Sequence, residues 1–226
     1  PISHSRRRVS LEDFDWADLI DQEDKVRMLI DPTSQYALAA AMAMGRAMDE
    51  VLIDAALGTA FTGVSGATST AGQTPIANGG TGLTLAKLLT AKETMDGDDV
   101  PDDGRVIVCT ADQITDLLNT TEIKSSDFNT VRALARGELD TFLGYKFISV
   151  NGKRTDGTKL IPVDGSSHRR CFAFQQDGLL LGVGADMSSK ISERADKNYA
   201  TQVFCSMSIG ATRMEEARAL EILCVE

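Results

Sequence analysis

The stretch between Asp31 and Gly58 is the feature that most constrains the fold of this chain. It is rich in alanine and methionine, and both of its ends carry helix signals. Asp31 is a favourable N-cap residue, and Pro32 suits the first helical position because the N–H that it lacks would have no partner there. Gly58 follows the last apolar residue and can take the left-handed conformation that ends many helices. The stretch therefore predicts one helix of about 39 Å, at a rise of about 1.5 Å per residue.

The composition permits a packed domain around such a helix. The chain has 226 residues, of which 42% are hydrophobic and 25% charged, values typical of a globular protein with one large domain or two small ones. No apolar run approaches about 18 residues, so no membrane-spanning helix is predicted. The residues after Ser5 are polar and precede no apolar segment, so no signal peptide is predicted either.

The charge of the chain is negative and unevenly placed. The formal net charge is −10, and eight acidic residues lie between Glu12 and Asp31 against two basic ones. This balance disfavours broad binding to nucleic acid phosphates, which needs clustered lysine and arginine. The one short basic run, Arg6–Arg8, is more typical of a solvated or ion-pairing arm than of a phosphate site.

The sequence contains residues of catalytic and metal-binding types, but none in the pattern that the chemistry requires. The two histidines, His4 and His168, have no ligand-type neighbours. Gly63–Gly66 lacks the spacing of a nucleophile elbow, and Asn78–Thr84 precedes a predicted helix without the lysine of a phosphate-binding loop. The acidic cluster Asp96–Asp103 does not match a calcium loop, so it indicates a solvated turn. No catalytic, cofactor-binding or metal site is predicted.

The cysteines support the same conclusion. None of them belongs to a C-x-x-C motif, and three lie in apolar, strand-like runs. They indicate small buried side chains in a reducing compartment, not a disulfide or zinc framework. The four are Cys109, Cys171, Cys205 and Cys224.

Periodicity divides the chain into three parts: an extended segment at 7–20 with the long helix, a mixed α/β centre and a β-rich end. The glycine-rich segment 59–84 is too long for an ordinary connection, which predicts a functional or mobile loop. Strands at both ends of an α/β centre suggest that the termini build one domain into which the centre is inserted. Further helices are predicted at 84–95, where Thr84 can cap the helix, and at 111–118 and 127–135. Strands are predicted at 105–110, 142–150 (before a hairpin-like turn at Asn151), 170–174, 179–183, 203–209 and 220–224. In the stretch 203–209 the residues alternate as in a half-buried strand.

Several groups of residues match a known family in their order and spacing. The groups in the first part of the chain are Asp21–Arg27, Asp31–Tyr36, Arg46–Asp49 and Ala55–Gly63. Those in the second part are Ala135–Glu138, Phe142–Phe147, Ile209–Thr212 and Glu215–Ala217. Over most of the 226 residues, this arrangement resembles the major capsid proteins of tailed bacteriophages.

The resemblance implies an α+β fold of the Hong-Kong-97 type. In that fold, a long spine helix and an elongated sheet form a peripheral domain, a central α/β axial domain meets its copies, and an extended loop reaches over the neighbouring subunit. Residues 1–60 would hold the extended-loop strand and the peripheral domain with its spine helix. Residues 61–185 would form the axial domain, and residues 186–226 would return to the peripheral domain. The family's N-terminal arm and outgoing loop strand have no counterpart before Arg6.

The function implied by the resemblance is structural. The protein would be a major capsid protein that assembles, as hexamers and pentamers, into the icosahedral shell around the double-stranded DNA of a tailed phage. It would reside in the virion after assembly in the host cytoplasm, with scaffolding, portal and cement proteins as further partners. Only weak contact with packaged DNA, and none with a membrane, is expected. No enzymatic activity and no cofactor are expected, and no residue matches the Lys–Asn crosslink of some relatives.

Charge pairing between neighbours is expected to contribute to such an assembly. The candidate interface residues are three basic and three acidic side chains: Arg6, Arg7, Arg8, Asp13, Asp15 and Asp18. Exposed ion pairs contribute only about 0–1 kcal/mol each, so they would set the register of contacts more than their strength. Segment 59–82 is expected to change shape between quasi-equivalent positions.

Two alternatives stay open. A shell protein of a cellular nanocompartment or of a gene transfer agent would share the fold and differ in its cargo. A cytosolic α/β enzyme, the alternative from another class, would need a pocket with converging polar groups, and the sequence shows no set of residues for one.

Overall fold

The computed structural model describes residues 6–21, 23, 33–119 and 141–226. These residues form a mixture of helices and sheets, so the predicted α+β class is confirmed. The predicted helix start at Asp31 and the predicted helix 127–135 lie outside the described residues.

The described residues form α-helices and β-strands that build separate sheets. The helices are α1 (Thr33–Leu57), α2 (Leu85–Gly97) and α3 (Ala111–Asn119). The strands of the first part of the chain are β1 (Arg7–Arg8), β2 (Glu12–Ile20), β3 (Ala60–Thr62), β4 (Thr68–Thr70) and β5 (Arg105–Cys109). Those of the second part are β6 (Thr141–Phe142), β7 (Tyr145–Ser149), β8 (Arg169–Gln175), β9 (Leu179–Arg194), β10 (Ala200–Arg213) and β11 (Ala219–Cys224). The sheet orders are β1-β3-β4, β2-β10-β9 and β11-β8-β5-β7-β6.

Helix α1 confirms the long predicted helix, with 25 described residues. Ala40 and Met44 are buried one turn apart, as expected for a helix that packs along one face. The helix ends at Leu57, and the next N–H, that of Gly58, donates to the Asp54 carbonyl oxygen at 2.8 Å. The left-handed conformation predicted for Gly58 is wrong, because its φ is not positive. This glycine is needed for space instead, since a Cβ atom there would lie 2.5 Å from the Asp54 carbonyl oxygen.

One compact unit contains the described residues 9–21, 23, 33–51 and 181–211, and we call it the three-strand unit. In its sheet, β10 pairs antiparallel with β2 on one side and has β9 on the other. The alternation predicted at 203–209 is confirmed, because the odd-numbered residues of that stretch are buried and face α1. The core between helix and sheet contains Ala40, Met44, Cys205, Met207 and Ile209, with Phe14, Trp16, Ala47 and Leu181 packed against it.

The other compact unit contains the described residues 6–8, 52–119, 141–180 and 212–226, and we call it the five-strand unit. In its main sheet, β5 lies at the centre, parallel to β7 and antiparallel to β8, and β11 follows beside β8. Thr84 caps α2 as predicted, since its hydroxyl accepts the Lys87 N–H at 3.4 Å. The largest core cluster joins α2 and α3 to this sheet and includes Leu88, Met95, Ile107, Leu117, Leu220 and Ile222.

Two predicted segments are more ordered than the sequence suggests. Segment 59–84 is not one long loop, because β3 and β4 pair within it and Ile76 bridges to Ile222. The strand predicted at 179–183 is β9, which has 16 residues. The partners of segment 59–84 include Arg7, Arg8 and Ile222, which are distant in sequence, so local composition does not reveal them.

The strand predicted at 142–150 is a hairpin of β6 and β7. Leu143 and Gly144 have φ values of 54° and 84° and reverse the chain between the two strands. The turn predicted at Asn151 does not join paired strands. The Asn151 side-chain oxygen instead accepts the Ala111 N–H at the start of α3, at 2.9 Å.

The boundaries of the two compact units differ from the predicted domain boundaries. The predicted boundaries follow residues 60 and 185, whereas the chain passes from one unit to the other after Arg8, Val51, Leu180 and Ala211. Residues 212–226 belong to the five-strand unit because β11 pairs with β8. The assignment of peripheral and axial domains stays a prediction.

Candidate assembly surface

The predicted basic run contains one internal side chain and two exposed ones. Arg7 donates to both carboxylate oxygens of Glu216, at 2.7 and 2.8 Å, and only 8% of its side chain is exposed. Arg6 and Arg8 are exposed, and Arg8 donates to the Ser65 carbonyl oxygen at 2.9 Å. Arg7 thus has a partner in its own chain, and the interface roles of all three arginines stay predictions.

The predicted acidic candidates lie on β2, an edge strand of the described sheet. Asp13, Asp15 and Asp18 are all exposed. Asp13 and Asp15 lie opposite Ser208 and Ser206 of β10. The carboxylates therefore form an acidic edge on the three-strand unit, while the arginines belong to the five-strand unit. Contact of this edge with a neighbour stays a prediction.

The three-strand unit also exposes large apolar side chains in regular spacing. Val183, Met187 and Ile191 of β9 are exposed by 53%, 42% and 54%, and a spacing of four places them on one face of the strand. Leu38 and Met42 of α1, also four residues apart, are exposed by 52% and 56%. Single exposed apolar residues are ordinary, whereas aligned ones are typical of an interaction surface.

Arg213 closes the C-terminal end of α1 in the five-strand unit. It is only 1% exposed, and it donates to the carbonyl oxygens of Ala56 at 2.8 Å, Gly58 at 3.0 Å and Thr70 at 3.4 Å. Burial lowers the pKa of its guanidinium, while the nearby Glu216 carboxylate raises it. A cation at this end satisfies carbonyl groups that have no partner in the helix and complements the helix dipole. One side chain thus connects α1 to β4.

Glu226 is bound by residues of three other segments. Arg169 donates to its two carboxylate oxygens at 3.0 and 2.5 Å, Lys159 at 3.1 Å and the Thr110 hydroxyl at 3.2 Å. The Arg169 hydrogen bonds, with those of Lys159, lower the pKa of Glu226 to about 2. These contacts anchor the residues after β11 within the five-strand unit.

Comparison with known families identifies the class of protein. A family model described as phage capsid protein matches residues 2–226. The chain belongs to the phage capsid protein family. Its predicted role as a capsid shell protein, located in the virion, is therefore confirmed. A comparison with curated proteins gives no match.

Solved structures place the fold of this capsid protein among phage shells. The capsid of Helicobacter pylori bacteriophage KHP30 is 11% identical with a TM-score of 0.71, over 96% of this chain and 76% of that one. The capsid of cyanophage P-SCSP1u is 16% identical with a TM-score of 0.67, over 96% and 74%. The capsid of a native gene transfer agent particle is 14% identical with a TM-score of 0.63, again over 96% and 74%. The predicted Hong-Kong-97-type capsid fold is confirmed.

Residue types that suggest chemistry have structural roles in this capsid protein. His168 lies between Asp164, at 3.0 Å, and Asn78, at 2.7 Å. In the predicted acidic turn, Asp96 accepts a hydrogen bond from Arg105 at 2.6 Å. No group of three or more acidic, histidine or cysteine side chains in the described residues is arranged to hold a metal ion.

Lys87 explains the glycine-rich loop that precedes α2. Its ammonium donates to the carbonyl oxygens of Thr81 and Gly82 at 2.8 Å each and of Leu223 at 2.9 Å. Burial lowers its pKa, and the three carbonyl groups compensate for the lost water. The lysine therefore fixes the loop to β11.

The thiols of the capsid protein are free and buried, as the sequence predicts. Burial raises the pKa of Cys109 to about 12. A thiol of that pKa is protonated and unreactive at neutral pH. Across the described part of the chain, no helix has the length and hydrophobicity needed to cross a bilayer.

Sequence reasoning missed the residues that hold this capsid protein together. The carbonyl contacts of Arg213 and the carboxylate contacts of Glu226 join positions far apart in the chain. For Arg213 the only signal is its place shortly after the alternating stretch 203–209, and that stretch alone does not show which way its side chain faces. The spacing of Val183, Met187 and Ile191 is also visible in the sequence, but it gains meaning only once β9 is known to be a strand.

Proposed function

We propose that this capsid protein is the major subunit of an icosahedral shell, built from hexamers and pentamers, around the double-stranded DNA of a tailed phage. The observation that carries the proposal is the family match over residues 2–226. The aligned exposed side chains of the three-strand unit support it, because a subunit in a shell has apolar surface that only its neighbours cover.

Electron microscopy of the protein, expressed from its complete coding sequence, tests this proposal. We expect closed shells of uniform diameter, formed by the protein alone or with its phage scaffolding protein. A species that stays monomeric or dimeric at all concentrations under both conditions would contradict the proposal.

The exposed charges of the two units are proposed to set the register between neighbouring subunits. Arg6 and Arg8 are exposed on the five-strand unit, and the acidic edge at Asp13, Asp15 and Asp18 is exposed on the three-strand unit. Exposed pairs contribute about 0–1 kcal/mol and are screened by salt. The shells seen by microscopy should therefore form more slowly at high ionic strength, while a rate independent of salt would exclude this role.

A second candidate is the shell of a gene transfer agent or a nanocompartment. The similarity to a gene transfer agent capsid, at a TM-score of 0.63, favours it over the cytosolic enzyme alternative, which has no support from the family. Sequencing the nucleic acid inside purified shells separates the candidates. A single phage genome supports the first proposal, and mixed host fragments indicate a gene transfer agent. Shells without nucleic acid that contain a cargo protein, detected by mass spectrometry, indicate a nanocompartment.

Further partners follow from the proposed role. Scaffolding, portal and cement proteins, and assembly in the host cytoplasm, belong to this proposal. The net charge of −10 supports weak contact with packaged DNA, since phosphate binding needs basic surface. We also propose that the chain has no enzymatic activity and needs no cofactor. Mass spectrometry of purified particles would identify the partner proteins.

A further inference from the structure

Strand β9 is an uncovered edge of the three-strand unit. In the described sheet order β2-β10-β9, its backbone has a neighbour only on the β10 side. Every residue from Val183 to Arg194 is exposed. An exposed edge strand presents unpaired N–H and C=O groups to any other extended chain.

The two edges of this sheet differ in how they are protected. The β2 edge carries four exposed acidic residues, Glu12, Asp13, Asp15 and Asp18, a feature that discourages strand pairing. The exposed part of β9 between Val183 and Ser192 contains one acidic and one basic residue, Asp186 and Lys190. The β9 edge is therefore open to a partner strand, whereas the β2 edge is not.

The two faces of β9 are distinguishable. Leu181 packs against the core under α1, so the odd-numbered residues Val183, Met187 and Ile191 lie on that face. The Ser188 hydroxyl lies 3.2 Å from the Ser206 hydroxyl, which places the even-numbered residues on the opposite face. Asp186 and Lys190 belong to this opposite face.

The sequence of β9 is complementary to itself in one antiparallel register. Centred on Met187, that register places Val183 opposite Ile191 of a second copy and Met187 opposite Met187 of the second copy. It is the one antiparallel register that pairs all three apolar residues with each other. On the opposite face it places Asp186 opposite Ser188 of the second copy, with Lys190 and Asp186 of that copy as its two diagonal neighbours, about 7–8 Å away at the backbone. The two-fold axis makes the Val183–Ile191 and Asp186–Lys190 contacts occur twice, whereas the Met187–Met187 contact lies on the axis and occurs once.

We propose that β9 pairs with β9 of a second copy about a two-fold axis through Met187. The pairing joins two three-stranded sheets into one six-stranded sheet and brings the exposed apolar side chains of both copies together. The occupant of the β9 edge is thus another copy of this chain. This inference rests on the proposed self-assembly.

Cysteine crosslinking in assembled shells tests the register. In Met187→Cys, the two introduced thiols face each other, and diamide, as the added oxidant, should take two electrons and two protons from them to form a disulfide. We expect most of the protein to migrate as a dimer on a non-reducing gel. The native cysteines are buried and give little background.

Ala185→Cys is the matched control, because Ala185 is exposed on the same face of β9. In the proposed register it lies opposite Ser189 of the second copy, and the two Ala185 positions are about 13 Å apart at 3.3 Å per residue. That distance is too long for a disulfide, so we expect no dimer. The double variant Ala185→Cys with Ser189→Cys should crosslink as readily as Met187→Cys.

The outcomes separate this inference from the proposed function. If Met187→Cys forms shells but no disulfide-linked dimer, the inference is overturned and the shell function stays intact. A dimer yield from Ala185→Cys equal to that from Met187→Cys would have the same consequence. Absence of shells in the unmodified protein would instead overturn the proposed function.

A charge exchange tests the opposite face. In the Met187→Cys background, Asp186→Lys or Lys190→Asp alone should lower the dimer yield at least threefold, because like charges then meet across the axis. The two changes together should restore the yield. Failure of the double change to restore it, with shells still formed, would contradict the proposed register.

Discussion

The two compact units are stabilised in different ways. In the five-strand unit, buried or half-buried charges find partners within the chain: Arg213 at the carbonyl groups ending α1, and Arg169 at Glu226. In the three-strand unit, one helix covers one face of a sheet, and apolar side chains such as Met42 and Ile191 stay exposed. The difference indicates that internal charge contacts contribute more to the five-strand unit, whereas the three-strand unit exposes aligned apolar side chains that neighbouring copies are proposed to cover.

Removing the buried cation should cause the largest loss of stability. Arg213→Met keeps the length of the side chain but leaves the carbonyl groups of Ala56 and Gly58 without their donor. Because unsatisfied buried polar groups cost about 1–3 kcal/mol each, we expect the free energy of unfolding to fall by about 3–5 kcal/mol. Urea unfolding of unassembled subunits, followed by circular dichroism, measures this change.

Arg194→Met is the control for that experiment. Arg194 is an exposed arginine that pairs with Asp196 at 2.8 Å. Exposed pairs contribute about 0–1 kcal/mol, so this variant should unfold close to the unmodified protein. If Arg213→Met were as stable as this control, the role of Arg213 at the end of α1 would be disproved.

Overpacking in the three-strand unit should have a smaller effect, but it should distinguish the centre of the packed face of α1 from its edge. Ala47→Trp places an indole against the helix–sheet core and should cost about 1–3 kcal/mol, with loss of normal shells. Ala43 is half-buried and is not part of that core cluster, so Ala43→Trp should be milder. Thermal unfolding and electron microscopy of both variants would check this order. Normal, equally stable shells from Ala47→Trp would contradict the packing of α1 on the sheet.

The smallest effect is expected at Glu226, and it should depend on pH. Because its folded pKa of about 2 lies below the ordinary value of 4.5, its contribution is present above pH 4.5 and is lost as the pH falls towards 2. Glu226→Gln should therefore lower stability by about 1 kcal/mol at pH 7, after allowance for solvent screening, and by less at lower pH. Unfolding measured from pH 7 to pH 3 tests this, with Glu93→Gln, an exposed position on α2, as control. An equal loss at all pH values would exclude the ionic contribution.

Much of the fold follows from local sequence, and the elements that were not predicted depend on contacts with distant parts of the chain. The alternation at 203–209 and the Thr84 cap are local signals, and the structure confirms both. The β3–β4 hairpin, by contrast, lies in a glycine-rich stretch whose threonines favour strands but which has no alternating apolar pattern to indicate them. Its pairing with Arg7 and Arg8 supplies the order.

The assembly surface was predictable only in part, for the same reason. The exposure of Asp13, Asp15 and Asp18 follows from charge alone. The internal pairing of Arg7 does not, because Glu216 lies 209 positions further along the chain. The carbonyl partners of Arg213 are similarly distant. Contacts of that range are set by the tertiary fold and leave no local pattern.

Trp16 gives the molecule a built-in optical probe. It is the only tryptophan of the chain, and it lies half-buried on β2, opposite Cys205 and beside the core under α1. Its fluorescence therefore reports on the three-strand unit and not on the five-strand unit. Fluorescence spectroscopy can therefore follow this one unit during assembly, in real time and without an attached dye.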